Sequence, residues 1–221
     1  MAITFSSSDY VRFTSPTNAL GHSSKTYAFL SIGDAANPFF KYDNTGDEIR
    51  VSLGGGGNRV IEFRANFSTN DGIWTASTTD ASGIWAISYN GSSTANDPVI
   101  YCNGVSLTVT EGSTPSGTYQ SPATRIDIGF TGSIGGTSVS VQDVRIYNVI
   151  KTAAQVAAIA NEDIFTDQNI DESGLVFHVP FTMCKGLTYS TYAGSTLAAA
   201  NEFIDRVNGY IGVPSGSPAG A

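Results

Sequence analysis

A sandwich of two antiparallel β-sheets is the fold class this sequence predicts, on three observations. Apolar and polar residues alternate in many short segments, as in Ile61, Phe63, Ala65, Phe67 and again in Trp85, Ile87, Tyr89. That period of two is what a strand with one buried face produces. Charged residues make up only 14% of the chain, and 24 Gly with 8 Pro punctuate it, which suits short strands joined by tight turns. Finally, the apolar run Val99–Cys102 meets Asn103-Gly104, after which Val105, Leu107 and Val109 resume the alternation. Asn-Gly supplies the two positive-φ residues of a tight hairpin. A chain of 221 residues buries roughly 70% of the surface that it exposes when unfolded, so one domain over 1–221 has a sufficient core without disulfide or metal.

Taken in order, strands are expected over 3–5, 10–14, 26–32, 39–42, 48–53, 59–67, 72–78, 83–89, 99–102, 105–110, 125–130, 138–148 and 175–181. Within 138–148 the phase slips: Val139 and Val141 share one face, whereas Val144 and Ile146 fall on the other. A β-bulge near Gln142-Asp143 accounts for that. The four glycines at 54–57 lack the Lys-Ser/Thr and following helix of a phosphate cradle, so they read as a turn. A helix over 151–161 is expected from Thr152 and Gln155, which have capping-box spacing, followed by Ala153, Val156, Ala157, Ile159 and Ala160. A weaker helical pattern covers 195–207.

Two segments carry a family resemblance. One holds Trp85, Gly91, Tyr101, Asn103 and Gly104; the other holds Ile128-Gly129, then Asp143 to Asn148 and the helical segment 151–161. In that order they resemble the laminin-G-like, concanavalin A-like lectin-glucanase family of jelly-roll sandwiches, over roughly 3–161. The resemblance implies an all-β jelly roll of two antiparallel sheets with one short helix, and makes Trp85 a core residue. Leu175–Phe181 and Asp205–Gly212 resemble segments that family members carry before the first motif, which implies a circularly permuted strand order. A truncated second repeat is the rival. On either view 162–221 is a C-terminal strand and an extended arm, completing the sandwich or contacting a neighbour; Pro214 and Pro218 keep 210–221 from being helical.

No catalytic set is evident. Jelly-roll glucanases use clustered carboxylates of the form E-x-D-x-x-E, because glycoside cleavage needs a paired acid and base or nucleophile. Here Glu62, Glu111, Glu162, Glu172 and Glu202 are isolated, and Asp47-Glu48 beside Arg50 reads as a turn pair at the solvated end of a strand. His22 and His178 have no partners at metal-ligand spacing and read as surface or satisfied histidines. No G-x-S-x-G elbow occurs. The ligand-binding candidates are Asp71, Asp80 and Asp97, whose loop carboxylates suit calcium, the one cofactor the sequence offers ligands for. Trp74, near Asp71, could present a face to a sugar ring. The same residues fit a core tryptophan and turn-capping aspartates equally well.

With 11 Lys and Arg against 19 Asp and Glu, the net charge of −8 argues against nucleic acid, whose affinity comes from neutralised phosphates. Residues 1–13 lack the basic and apolar regions of a signal peptide, and no run is long and apolar enough to span a membrane. Cys102 and Cys184 are expected as free thiols. The expectation is therefore a non-catalytic structural or adhesive protein on a virus particle, such as a phage capsid decoration (cement) protein or appendage made in the host cytoplasm. Its expected partners are further copies of itself, the major capsid or other virion proteins, and glycans. A carbohydrate-binding module of a secreted or cell-surface protein, acting extracellularly, is the alternative; a glycosidase with dispersed carboxylates is the third.

Overall fold

The structure, a computed structural model, describes residues 3–5, 10–14, 23–32, 38–42, 47–53, 58–80, 82–120, 125–129, 139–160, 172–181, 203–208, 210–215 and 219–220. In chain order the described elements are β1 (Ile3–Phe5), β2 (Tyr10–Thr14), β3 (Ser24–Ile32), β4 (Pro38–Tyr42), β5 (Glu48–Leu53), β6 (Arg59–Ala65), β7 (Gly72–Thr78), β8 (Ser82–Asn90), β9 (Val99–Cys102), β10 (Val105–Ser106), β11 (Val109–Ser113), β12 (Arg125–Gly129), β13 (Val139–Tyr147), α1 (Ala153–Ala160), β14 (Leu175–Pro180), β15 (Phe203–Ile204), β16 (Ile211–Ser215) and β17 (Ala219–Gly220). They form two antiparallel sheets. One runs β10-β9-β8-β3-β13-β1-β17, with β14 also paired to β13; the other runs β11-β7-β6-β5-β4-β12-β2-β16-β15.

The inward side chains of both sheets make one core. Phe13, Phe63, Trp74, Trp85, Tyr89 and Phe177 are among its largest members, and β6 alternates buried and half-buried along its length. The outer face of the β6-containing sheet is polar, with Arg12 opposite Asp127, Glu48 opposite Arg64 and Arg50 opposite Glu62. The other sheet is covered on its outer face by α1, whose Val156 and Ile159 pack with Ala28, Ala86, Tyr101 and Tyr147. The helix starts as its spacing predicts: the Thr152 N–H donates to Gln155 Oε1 (3.0 Å), and the Gln155 N–H to Thr152 Oγ1 (3.3 Å). The Asn103-Gly104 turn has φ of 50° and 78°, the positive pair that a tight hairpin requires.

The register of β13 shifts between Val141 and Asp143, which keeps both Val141 and Val144 in the core. The expected strand over 105–110 is two strands. Val105–Ser106 pairs with β9, whereas Val109–Ser113 has crossed to the other sheet beside β7, because the chain changes layers at Leu107-Thr108. The helical pattern over 195–207 is overturned at its end, where Phe203–Ile204 is a strand paired with β16 and Asp205 begins a turn. Its earlier part lies outside the described residues, as do His22, the 54–57 glycines and Cys184. Leu175–Pro180 pairs with its own sheet at β13, as a permuted order requires. The last strands pair with the first: β16 with β2 and β17 with β1. His178, expected as a surface or satisfied histidine, is the satisfied kind: it is buried, with Nε2 2.8 Å from Asp143 Oδ1, whose other oxygen lies 2.7 Å from Arg145 Nε.

Candidate functional site

Strand register brings four separated segments to one end of the sandwich. Ser24 lies opposite Asn90 in the β3–β8 pair, so Ser23 and Gly91 meet there, and the Gly91 N–H donates to the Ser23 carbonyl (2.8 Å). Ala65 lies opposite Gly72, so the 66–71 loop turns at the same end. The chain after β11 returns along that loop through bridges Phe67–Tyr119 and Asn70–Ser116. Backbone bonds from Ser68 to Thr118, from Ser116 to Asn70 and from Gln120 to Asn66 hold the two together (2.9 Å each).

Between these loops lies a cleft of about 480 Å³, lined by Ser23, Phe67, residues 91–94 and residues 117–119. Two glycines allow its walls to approach. Gly117 has φ +91°, and a Cβ there would sit 2.4 Å from Ser68 Oγ; a Cβ on Gly91 would sit 2.8 Å from the Tyr119 ring. The 91–98 loop is braced by its own polar groups: Asn90 Oδ1 accepts from the Ser92 N–H (3.1 Å), Ser93 Oγ from the Ala95 N–H (3.2 Å), and Asn96 Nδ2 donates to the Asn90 carbonyl (2.8 Å).

Tyr119 connects the cleft to a buried polar cluster. Its hydroxyl donates to Asp47 Oδ2 (2.6 Å) and accepts from Lys25 Nζ (2.9 Å). Asp47 Oδ2 also accepts from the Tyr27 hydroxyl (2.7 Å) and lies 3.4 Å from Lys25 Nζ, and its Oδ1 accepts from the Asn66 N–H (3.3 Å). Lys25 and Asp47 are each only 1% exposed, so Asp47-Glu48 is not the solvated strand end expected from sequence: Asp47 turns inward to Lys25 and two phenols. Burial pushes the Lys25 amine below its ordinary value, against the opposing pull of Asp47. The ring of Tyr119 is wedged edge-on against Phe67, centroids 5.5 Å apart, and against Tyr89 at 6.4 Å. The Tyr89 hydroxyl is driven upward by burial first, then by the fields of Asp47 and Asp97. The result is an aromatic group fixed at its polar tip, in a wall whose other described members are Phe67, serines, threonines and glycines.

The sequence candidates divide between the two ends. Trp74 is 0% exposed, stacked on Phe63 at 6.0 Å and tilted against Tyr89 at 5.2 Å, so it offers no face to a sugar. Its indole N–H instead donates to Asp97 Oδ1 (2.8 Å), tying the 91–98 loop to β7. Asp71, at the same end, accepts from Arg64 Nη2 (2.7 Å) and from the Phe67 N–H (3.1 Å), which fixes the floor of the cleft. Asp80 is at the opposite end, since Trp85 lies opposite Cys102 there, and accepts from Asn103 Nδ2 (3.2 Å) and the Cys102 thiol (3.5 Å). Burial, then Asp80, pushes that free, buried thiol up to about 12. The three aspartates therefore do not make a joint calcium site. Among the described residues no three His, Cys, Asp or Glu side chains gather as metal ligands. No described helix is long and apolar enough to cross a membrane. Sequence reasoning missed Tyr119, Lys25 and Asp47 as site residues; Gly91 and Gly117 mark where the Tyr119 ring and the 68–69 loop come close to the backbone.

No family model matches the chain, and no curated protein matches it. Solved structures do. The chain is similar to a native heptameric SAP-like pentraxin from Limulus polyphemus, at 12% identity and a TM-score of 0.57, covering 96% of this chain and 94% of that one. It is similar to the binding domain of botulinum neurotoxin DC, solved in complex with SialylT, at 14% identity and a TM-score of 0.51, covering 94% of this chain and 53% of that one. A botulinum neurotoxin type C structure, whose cell entry is described as dependent upon interaction with two ganglioside molecules, matches at 11% identity, a TM-score of 0.51 and coverages of 94% and 53%. This chain thus spans about half the length of the two neurotoxin chains. The shared feature is the fold: an all-β, lectin-like jelly-roll sandwich.

Proposed function

We propose that this chain is a non-catalytic glycan-binding module whose site is the cleft around Tyr119. The observation that carries this is the combination of a fixed tyrosine ring with a wall of Ser23, Ser92, Ser93, Thr94 and Thr118. A sugar ring has an apolar C–H face and a rim of hydroxyls. Hydroxyl side chains both donate and accept, so they match that rim, and a ring held at its polar tip supplies apolar contact at little entropic cost. Each described carboxylate near the cleft is engaged: Asp47 with tyrosines and Lys25, Asp71 with Arg64, Asp97 with Trp74. That favours binding over hydrolysis, which needs a carboxyl group free to move a proton. The fold likeness to a pentraxin solved as a heptamer supports an oligomer, in which several weak sites act together.

The test is a glycan array probed with the native protein and with Tyr119→Ala, both checked for fold by circular dichroism. Binding by the first and its loss in the second is the expected result. A native protein that binds no glycan ends the proposal. Where such a module works is a second proposal: a virus-particle surface, supported by an acidic, charge-poor chain of the kind that stays soluble at high copy number. Co-sedimentation with particles from the source material is expected; free protein moves the placement to the extracellular alternative.

A further inference from the structure

The charge pattern around the cleft points to its ligand class. We infer, resting on the glycan-binding reading above, that this site takes neutral sugars and discriminates against carboxylated or sulfated ones. Among the described residues the lining contains no Lys, Arg, His, Asp or Glu, and the one titratable side chain among them is Tyr119. The Tyr119 hydroxyl is turned inward to Asp47 and Lys25. The nearest described cation, Lys25, lies below it with 1% exposure and is held by Asp47 and Tyr119. An anionic sugar would need that ammonium, and reaching it would mean breaking the hydrogen bond that fixes the ring.

The surroundings are net negative. Lys25 offsets Asp47 and Arg64 offsets Asp71, whereas Asp97, three residues beyond Thr94 in the same loop, accepts from a neutral indole. The Asp97 residue is exposed to solvent. The whole chain adds a net −8. Among the described residues a bound carboxylate or sulfate therefore meets repulsion with no compensating cation at the lining, at a distance that solvent and salt screen only in part. Neutral polyols lose nothing to this field and keep the hydroxyl wall.

The experiment is an array on which neutral hexose oligosaccharides are printed beside their sulfated and uronic-acid counterparts, read at low and high salt. The expected result is binding of neutral glycans about tenfold above their anionic counterparts at low salt, with the gap narrowing as salt rises. Thr94→Lys, an exposed loop position, is expected to reverse the preference by placing a cation at the rim. Equal or stronger binding of the anionic counterparts overturns the assignment and leaves glycan binding standing. Absence of binding to every glycan removes both. A Thr94→Lys protein that keeps its fold and the neutral preference also overturns it, since no cleft-rim charge is then selecting.

Discussion

Lys25 and Lys151 are both 1% exposed, yet they are buried in different ways. Lys25 points into the sandwich at the cleft end, where its ammonium meets a carboxylate and a phenol oxygen. Thr26, the next residue of β3, points the other way, under α1, where its Oγ1 accepts from the Lys151 N–H (2.9 Å) and donates to the Val149 carbonyl (2.9 Å). Lys151 Nζ donates to the Ser173 carbonyl (2.6 Å) and lies 4.3 Å over the Tyr147 ring. One strand thus starts two polar clusters on opposite faces. The inward one contains a buried ion pair that fixes a cleft wall. The outward one sets an ammonium against a carbonyl and an aromatic face beside the start of the helix. A buried ammonium becomes part of a site when its partner is a charge shared with groups that face solvent.

Removing the shared charge is the most damaging way to test this. Asp47→Ala leaves the Lys25 ammonium without its carboxylate and removes the acceptor of Tyr27, Tyr119 and the Asn66 N–H. A loss of about 3–5 kcal/mol is expected from denaturant unfolding, since a broken buried pair leaves an uncompensated charge. An effect below about 1 kcal/mol would mean that water reaches the pair and that the cleft is not braced from beneath. The pH dependence sharpens the same point. Burial holds the folded Lys25 below its ordinary 10.5, so the unfolded chain binds more protons between the folded value and 10.5. Stability from this group is therefore lost as pH falls through the folded value and fully present above 10.5. The native protein should gain on Lys25→Met as pH rises through that window. Tyr89, whose raised value makes folding less favourable at high pH, is common to both proteins and cancels in the difference.

The outward cluster should respond less. Lys151→Met removes a donor to an exposed residue's carbonyl, which water can satisfy, together with a cation–π contact. A loss of about 1–2 kcal/mol is expected, with glycan binding unchanged. A cost equal to that of Asp47→Ala would erase the distinction. The two regions also differed in how far the sequence disclosed them. The helix cluster is local: Thr152 and Gln155 are three residues apart, and the apolar period after them is readable directly. The bulge at Gln142-Asp143 was visible in the same way, as a slip in a short-range pattern. The cleft is assembled from residues 23, 67, 91–94 and 117–119, which only the pairing of strands brings together. Trp74 is open in sequence between a sugar platform and a core residue, because its exposure depends on Phe63 and Tyr89 from neighbouring strands, which no local pattern encodes. In sequence, 210–221, which contains β16, reads as an extended arm, because Pro214, Pro218 and its glycines exclude a helix. In the structure its partner β2 supplies the missing preference, since Gly212 lies opposite Phe13 and leaves room for that ring.

The smallest effect probes whether the helix anchor is additive with the rest of the outward cluster. Thr152→Ala removes the Oγ1 that accepts from the Gln155 N–H and leaves the Gln155 Oε1 bond to the Thr152 N–H in place. Loss of one side of a capping box costs about 1 kcal/mol. Thr152 and Gln155 touch neither the Tyr119 cluster nor Lys25, so cleft binding should not change, and the Lys25-dependent slope at alkaline pH should keep its sign. Paired with Lys151→Met, however, the two losses should fall short of their sum. Both act on the short connection 148–152 that carries the chain from β13 into α1, and once that connection is loosened by either change the second has less to remove. Strict additivity in the double variant would mean that the helix cap and the buried ammonium hold α1 independently. The outward cluster would then be two separate anchors that happen to share a backbone segment.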